Sequence, residues 1–195
     1  MSAGLWAVLI LDITALVAVG TMLVLAWTNR HPTGGRYLLP MLVGVEAWVL
    51  GDLLAQLPVG SGVVRAAVTL QLVASGGAVL FLLLFVLAYT GRGDLLESPL
   101  STLLFVEPVG FALLALTNPA HRLVFAGTLG PDSVLDLAGP ALFGHIAYSY
   151  TLVAVAVGLA GTLAYRSEFV YRRQATALVL GVLAPFVGNV LYFFG

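Results

Sequence analysis

Six continuous apolar stretches, each long enough to cross a bilayer, take up most of this chain. They fall at 5–27, 38–57, 66–89, 100–117, 141–165 and 175–194, each close to the roughly 17–25 residues that span about 30 Å of hydrocarbon. In lipid every backbone N–H and C=O must be paired within the segment, so continuous runs of this kind predict helices. A membrane barrel would instead show short segments of alternating polarity. The expected fold class is all-α: a polytopic transmembrane helical bundle with six spans, read as a single domain over 1–195.

The cations give the expected orientation. All eight are arginines. Arg30, Arg36, Arg92, Arg166, Arg172 and Arg173 fall in one set of alternate loops, and Arg65 and Arg122 in the other. The positive-inside rule puts the first set in the cytoplasm, with the N-terminus outside. Six crossings then leave the C-terminus outside as well, where a seventh helix would be expected to begin. Met1 to Gly4 lacks a basic residue and the following run exceeds a signal h-region, so the first span reads as retained.

Charged residues make up 9% of the chain and the formal net charge is −1, which with no basic cluster argues against a nucleic-acid partner. With no cysteine, disulfides, thiolate metal sites and a cysteine nucleophile are excluded. With no lysine, a retinal Schiff base has no amine to form on. No His-Glu-x-x-His, phosphate-binding glycine loop or Gly-x-Ser-x-Gly occurs, so no catalytic residue and no cofactor are assigned.

Four acids lie within the spans: Asp12, Glu46, Asp52 and Glu107. Each costs roughly 2.5–3.5 kcal/mol at a helix centre, so they are expected to face the bundle interior or a wet cavity. A rise of about 1.5 Å per residue puts Asp12 and Asp52 roughly 8–10 Å below the outer surface, and Glu46 and Glu107 about 10–12 Å above the inner one. At those depths no Arg or His is expected to pair with them, except that Arg65 is placed to reach Asp52. They read either as a ligand or proton site or, more plainly, as protonated donors of interhelical hydrogen bonds. Pro108 and Pro185 are expected to free backbone carbonyls and kink their helices. Ala154, Gly158 and Thr162, and the pair Gly76-Gly77, mark expected close helix contacts.

The outer loop 118–140 is the longest connection. Its Asn-Pro and Gly-Pro pairs signal turns, while Leu123, Val124, Phe125, Leu135 and Leu137 keep it apolar enough to form an ordered cap. His121 and His145 flank it, near Asp132 and Asp136. The spacing matches no ligand motif and no metal is assigned. His31 reads as solvated.

Several stretches, taken in order, carry a resemblance. The third span ends Phe85-Val86-Leu87-Ala88-Tyr89-Thr90-Gly91, and the fourth ends Leu116-Thr117-Asn118-Pro119-Ala120-His121-Arg122-Leu123. The fifth opens Gly139-Pro140-Ala141-Leu142-Phe143-Gly144-His145-Ile146-Ala147-Tyr148-Ser149-Tyr150. The sixth follows Arg166-Ser167 and Tyr171-Arg172-Arg173-Gln174-Ala175, and continues to Pro185, Asn189 and Tyr192. This set resembles the amino-terminal seven-transmembrane sensor domain of prokaryotic histidine kinases.

The resemblance implies a sensory input domain in the plasma membrane, relaying a stimulus to a cytoplasmic PAS or kinase output domain in cis or in trans. It also implies a possible homodimer and an unidentified small ligand or membrane stimulus. The kinase catalytic region is absent from these residues, so the chain itself is expected not to be an enzyme. Candidate input residues are Asn118, His121, Arg122 and His145 at the cap, and Glu46, Asp52 and Glu107 in the core. Two alternatives stay open: a small secondary transporter coupled through the intramembrane acids, and a stand-alone membrane scaffold.

Overall fold

The first helix, α1 (Ala3–Thr28), is apolar on almost every side, and its hydroxyls are turned inward onto its own backbone. Thr14, Thr21 and Thr28 donate to the carbonyls of Ile10, Val17 and Val24, one turn back, at 2.7, 2.7 and 3.2 Å. This leaves no unpaired O–H toward hydrocarbon, which lets a helix with Trp6, Ile10, Leu11, Val17, Leu25 and Trp27 exposed sit against lipid. The computed structural model describes residues 3–28, 34–127 and 136–166, together with Thr176 and Leu180.

After α1 come α2 (Gly35–Gln56) and α3 (Ser61–Tyr89), then two short helices, α4 (Gly93–Glu97) and α5 (Pro99–Leu103). Next are α6 (Val106–Leu116), a single turn α7 (Asn118–His121) and the long α8 (Pro140–Arg166). The described residues are all-α, apart from one antiparallel bridge between Phe125 and Ala138. Four helices (α1, α2, α3 and α8) are long and apolar enough to cross a membrane, and a shorter apolar helix covers Ser101–Leu116. The expected spans 5–27, 38–57, 66–89 and 141–165 match these four. The expected sixth span lies outside the described residues.

The fourth expected span is not one rod. It is broken between α5 and α6 at Leu104-Phe105. Pro108 supplies the reason: its nitrogen has no hydrogen for the Leu104 carbonyl and its ring crowds that carbonyl, so a helix starts afresh at Val106. In the first turn of α6 the missing N–H costs nothing.

Helix α3 is the hub, packing against α2, α6 and α8, while α1 leans on α2. The α2–α3 approach is closest at Gly51, where a Cβ would lie 2.7 Å from the Ala67 carbonyl and 2.8 Å from the Gln71 nitrogen. Small residues at such crossings let backbones meet and gain dispersion contacts, since lipid gives little hydrophobic drive for helix association.

The core has two clusters. One joins Leu80, Leu83, Leu84 and Leu87 of α3 to Leu152, Ala156 and Ala160 of α8. The face of α8 that packs is therefore 152/156/160. Ala154, Gly158 and Thr162, expected to make a close contact, are exposed, and a Cβ on Gly158 would meet nothing within 4 Å. The second cluster sits at the opposite end of the bundle, where Val124 and Phe125 of the long connection pack with Ala67, Val68, Phe111, Ala115 and Leu142. This is the cap end; α3 starts there and finishes at the other end.

Candidate functional site

The cap is organised by one side chain. Asn118, buried at the start of α7, accepts from the Val124 and Phe125 N–H groups at 2.9 and 3.1 Å, and donates to the Phe125 carbonyl at 3.1 Å. Its amide thus stands in for the strand neighbour that Val124-Phe125 lacks on that side. On the other side, Ala126 N–H donates to Leu137 and Gly139 N–H to Val124, both at 2.8 Å. The expected ordered cap is present over 118–127 and 136–139.

His121 belongs to the same scaffold. Its Nδ1 accepts from the Leu123 N–H at 3.0 Å, so a neutral ring carries its hydrogen on Nε2, facing the Thr117 hydroxyl oxygen at 3.1 Å. Thr117 in turn donates to Leu113 at 2.6 Å. Arg122 follows in the left-handed conformation (φ 57°), with its side chain exposed.

Beneath the cap, α8 begins inside the protein. Ala141 N–H donates to the Leu123 carbonyl at 3.0 Å and Leu142 is fully buried, so His145 one turn later is sunk among the helices. Its side chain is 3% exposed, against 27% for Glu107, and its Nδ1 lies 2.8 Å from Glu107 Oε1. The ring stacks on Phe111 at 3.8 Å between centroids and 10° between planes. Nε2 lies 3.2 Å from the carbonyl of Leu72, which also receives the Ser75 hydroxyl at 2.8 Å.

This corrects the expectation that no Arg or His pairs with the intramembrane acids. The depth count treated 100–117 as one straight span and 141 as the membrane surface. The break before α6 and the cap folded over α8 bring Glu107 and His145 to one level.

Donor and acceptor types fix which ring nitrogen serves the carbonyl. A carbonyl only accepts, so Nε2 carries a hydrogen and donates to Leu72. The 2.8 Å hydrogen bond between Nδ1 and Glu107 ties α8 to α6, and the bond from Nε2 ties it to α3. The second carboxyl oxygen, Glu107 Oε2, is buried without a hydrogen bond.

The room for the ring comes from Gly76, where a Cβ would fall onto His145 Cε1. Of the expected pair Gly76-Gly77, only the first makes a close contact, and it admits an imidazole rather than a helix backbone.

A second polar group ties α1, α2 and α3. Gln56 Nε2 donates to Asp12 Oδ2 at 3.0 Å and to Asp52 Oδ2 at 2.9 Å, and Gln71 Nε2 donates to Asp52 Oδ1 at 2.8 Å. Amides, and not Arg65 as expected, serve Asp52. Glu46 stands apart from both groups: its Oε1 lies 3.6 Å from where a Cβ on Gly20 of α1 would be, and its Oε2 is buried without a hydrogen bond.

Among the described residues no three His, Asp or Glu side chains converge as a metal site, and both nitrogens of His121 and of His145 are engaged within the protein. His31, Asp132, Arg172, Arg173 and Pro185 lie outside the described residues. Gln56, Gln71, Leu72 and Phe111 were not anticipated. Gln56 had a signal, since it follows Asp52 by four residues on one helix face; the others depend on which helices meet.

No curated protein and no solved structure matches the chain. One family model, described as the N-terminal 7TM region of histidine kinase, matches residues 10–195. With that match over nearly its whole length and its apolar, membrane-spanning helices, the chain belongs to the family of N-terminal seven-transmembrane regions of histidine kinases.

Proposed function

We propose that this membrane sensory domain is the input module of a two-component system in the plasma membrane, with the cap outside. A stimulus at the cap or in the core shifts α8 against α3 and α6, and the shift passes to a cytoplasmic PAS or kinase output domain, in cis or in trans. The chain itself carries no catalysis. The observation that carries this reading is the Glu107–His145–Leu72 tie, in which one buried imidazole binds α8 to α6 through Nδ1 and to α3 through Nε2. Breaking or remaking this tie would let α8 move against α6 and α3, as a switching element needs.

The input residues fall into three groups. Glu107 and His145 form the switch. Asn118, His121 and Arg122 set the cap resting on it. Asp52 and Glu46 tune how α1 and α2 pack against α3. The orientation rests on the arginines, six in one set of loops against two in the other.

The test uses membrane vesicles from the host, an antibody to the 118–140 loop and labelled ATP. The expected result is a band that is itself phosphorylated when the output domain is in cis, or a copurifying kinase that phosphorylates itself when it is in trans. Glu107→Gln and His145→Gln should change that signal at least threefold without changing the amount in the membrane. No phosphorylation of any associated protein, or unchanged signal in both variants, would overturn the reading.

A further inference from the structure

At the cap end, Arg65 from the first turns of α3 and Arg122 from the turn after α7 line one cavity of about 400 Å³, with Asn118, Pro119, Phe125, Ala126 and Gly127. The two side chains are 57 positions apart in sequence and are brought together only because Val124 and Phe125 dock onto Val64 and Val68. Among the described residues neither guanidinium forms an ion pair with a carboxylate, Asp136 of the cap included; Asp12 and Asp52 are held by Gln56 and Gln71. Two unneutralised guanidinium groups in one cavity repel each other, and an anion between them removes that cost.

Arg122 has a further peculiarity. It is the one non-glycine residue with positive φ among the described residues. An L-residue with a long side chain is strained there, and glycine or asparagine would close the same turn more comfortably. The turn alone gives no reason for arginine. What it does is hold the Arg122 side chain at the cavity opposite Arg65.

Depth narrows the ligand class. Helix α3 has 29 residues, about 43 Å at 1.5 Å per residue, and so exceeds a hydrocarbon core of about 30 Å by some four residues at each end. Arg65, the fifth residue of α3, therefore stands at the boundary between hydrocarbon and headgroups, with a side chain long enough to reach the headgroup layer. The anions held in that layer are phosphates, and paired guanidinium groups recognise phosphate through parallel N–H···O bonds.

We propose that Arg65 and Arg122 form a binding site for a phosphate group at the cap end of the bundle. The proposal does not depend on the sensory reading.

The test measures thermal unfolding of the full 195-residue chain in neutral detergent, followed by tryptophan fluorescence. It is titrated with dioctanoyl phosphatidic acid, inorganic phosphate and phosphate-free dioctanoylglycerol. The expected result is a rise in midpoint with a phosphate probe, with half-saturation at least tenfold weaker in R65Q/R122N and unchanged in R36Q. Response to phosphatidic acid alone identifies a lipid headgroup as the source; equal response to inorganic phosphate identifies a soluble one. Without ligand, R122N should melt at or above the parent, because asparagine suits the left-handed turn. A double variant that responds like the parent, a dioctanoylglycerol effect equal to that of phosphatidic acid, or no response to either phosphate probe would overturn the proposal.

Discussion

The Tyr148 hydroxyl of α8 donates, at 2.5 Å, to the carbonyl of Leu104, the acceptor that Pro108 cannot reach. The break in the fourth apolar stretch is thus compensated from another helix, as an unpaired carbonyl in a bilayer requires. Tyr148→Phe should cost about 0.6–1.7 kcal/mol, the usual range for an interhelical hydrogen bond in a membrane. In a Pro108→Ala background residue 108 regains an N–H for Leu104, and the same substitution should cost much less. A double-mutant cycle by unfolding in sodium dodecyl sulfate reads the coupling; equal costs in both backgrounds would refute it.

Gly76 and Gly77 are adjacent, yet their alanine variants should differ sharply. A Cβ at Gly76 strikes His145 Cε1, whereas one at Gly77 meets nothing within 4 Å. Gly76→Ala should therefore push the imidazole from Phe111 and Glu107 and cost about 1–3 kcal/mol, the usual range for overpacking. Gly77→Ala should leave stability unchanged or slightly raised, since alanine is the better helix former by about 1 kcal/mol. In a proton NMR spectrum the ring-current-shifted His145 signals should survive only in the second variant.

The helices were legible in the sequence because length and continuous hydrophobicity in lipid leave little choice but helix. The ordered cap was legible too, from apolar residues in a loop rich in turn signals. The Glu107–His145 pair was not. His145 lies five residues after Gly139-Pro140 and reads as a surface residue by counting. It is buried because Phe111 of α6 stacks on its ring and Gly76 of α3 leaves room for it, contacts between distant segments with no local signature. The Asp52 partners show both cases: Gln56 shares its helix face at a spacing of four, while Gln71 arrives from α3 only through the close crossing at Gly51.

Gln56 uses both amide hydrogens on carboxyl oxygens from two helices, Asp12 of α1 and Asp52 of α2. Gln56→Leu, similar in size, removes both bonds and leaves Asp12 facing Asp52 without a donor between them. The expected loss is about 1–3 kcal/mol, that of stranding a buried polar group. Adding Asp12→Leu removes one stranded acid and should recover part of the loss, whereas independent effects would add. Unfolding midpoints in sodium dodecyl sulfate decide between them.

Asn118 makes three hydrogen bonds to two consecutive residues of the cap. Its carbonyl oxygen takes two N–H groups and its NH₂ serves one carbonyl, so replacements should rank by which half they keep. Asn118→Asp retains acceptors for Val124 and Phe125 but sets a carboxylate against the Phe125 carbonyl, and Asn118→Ala loses all three bonds. The alanine variant should cost about 2–4 kcal/mol, taking each bond at roughly 1 kcal/mol with an added penalty for stranded backbone groups. Aspartate should fall between alanine and the parent. Because Val124 and Phe125 share a core cluster with Phe111, the ring stacked on the imidazole, loosening the cap should also loosen the packing around His145. Hydrogen exchange of the Val124 and Phe125 amides, followed by mass spectrometry, should accelerate in the order parent, aspartate, alanine. Equal rates in all three would mean that the apolar docking of Val124 and Phe125 holds the cap without Asn118.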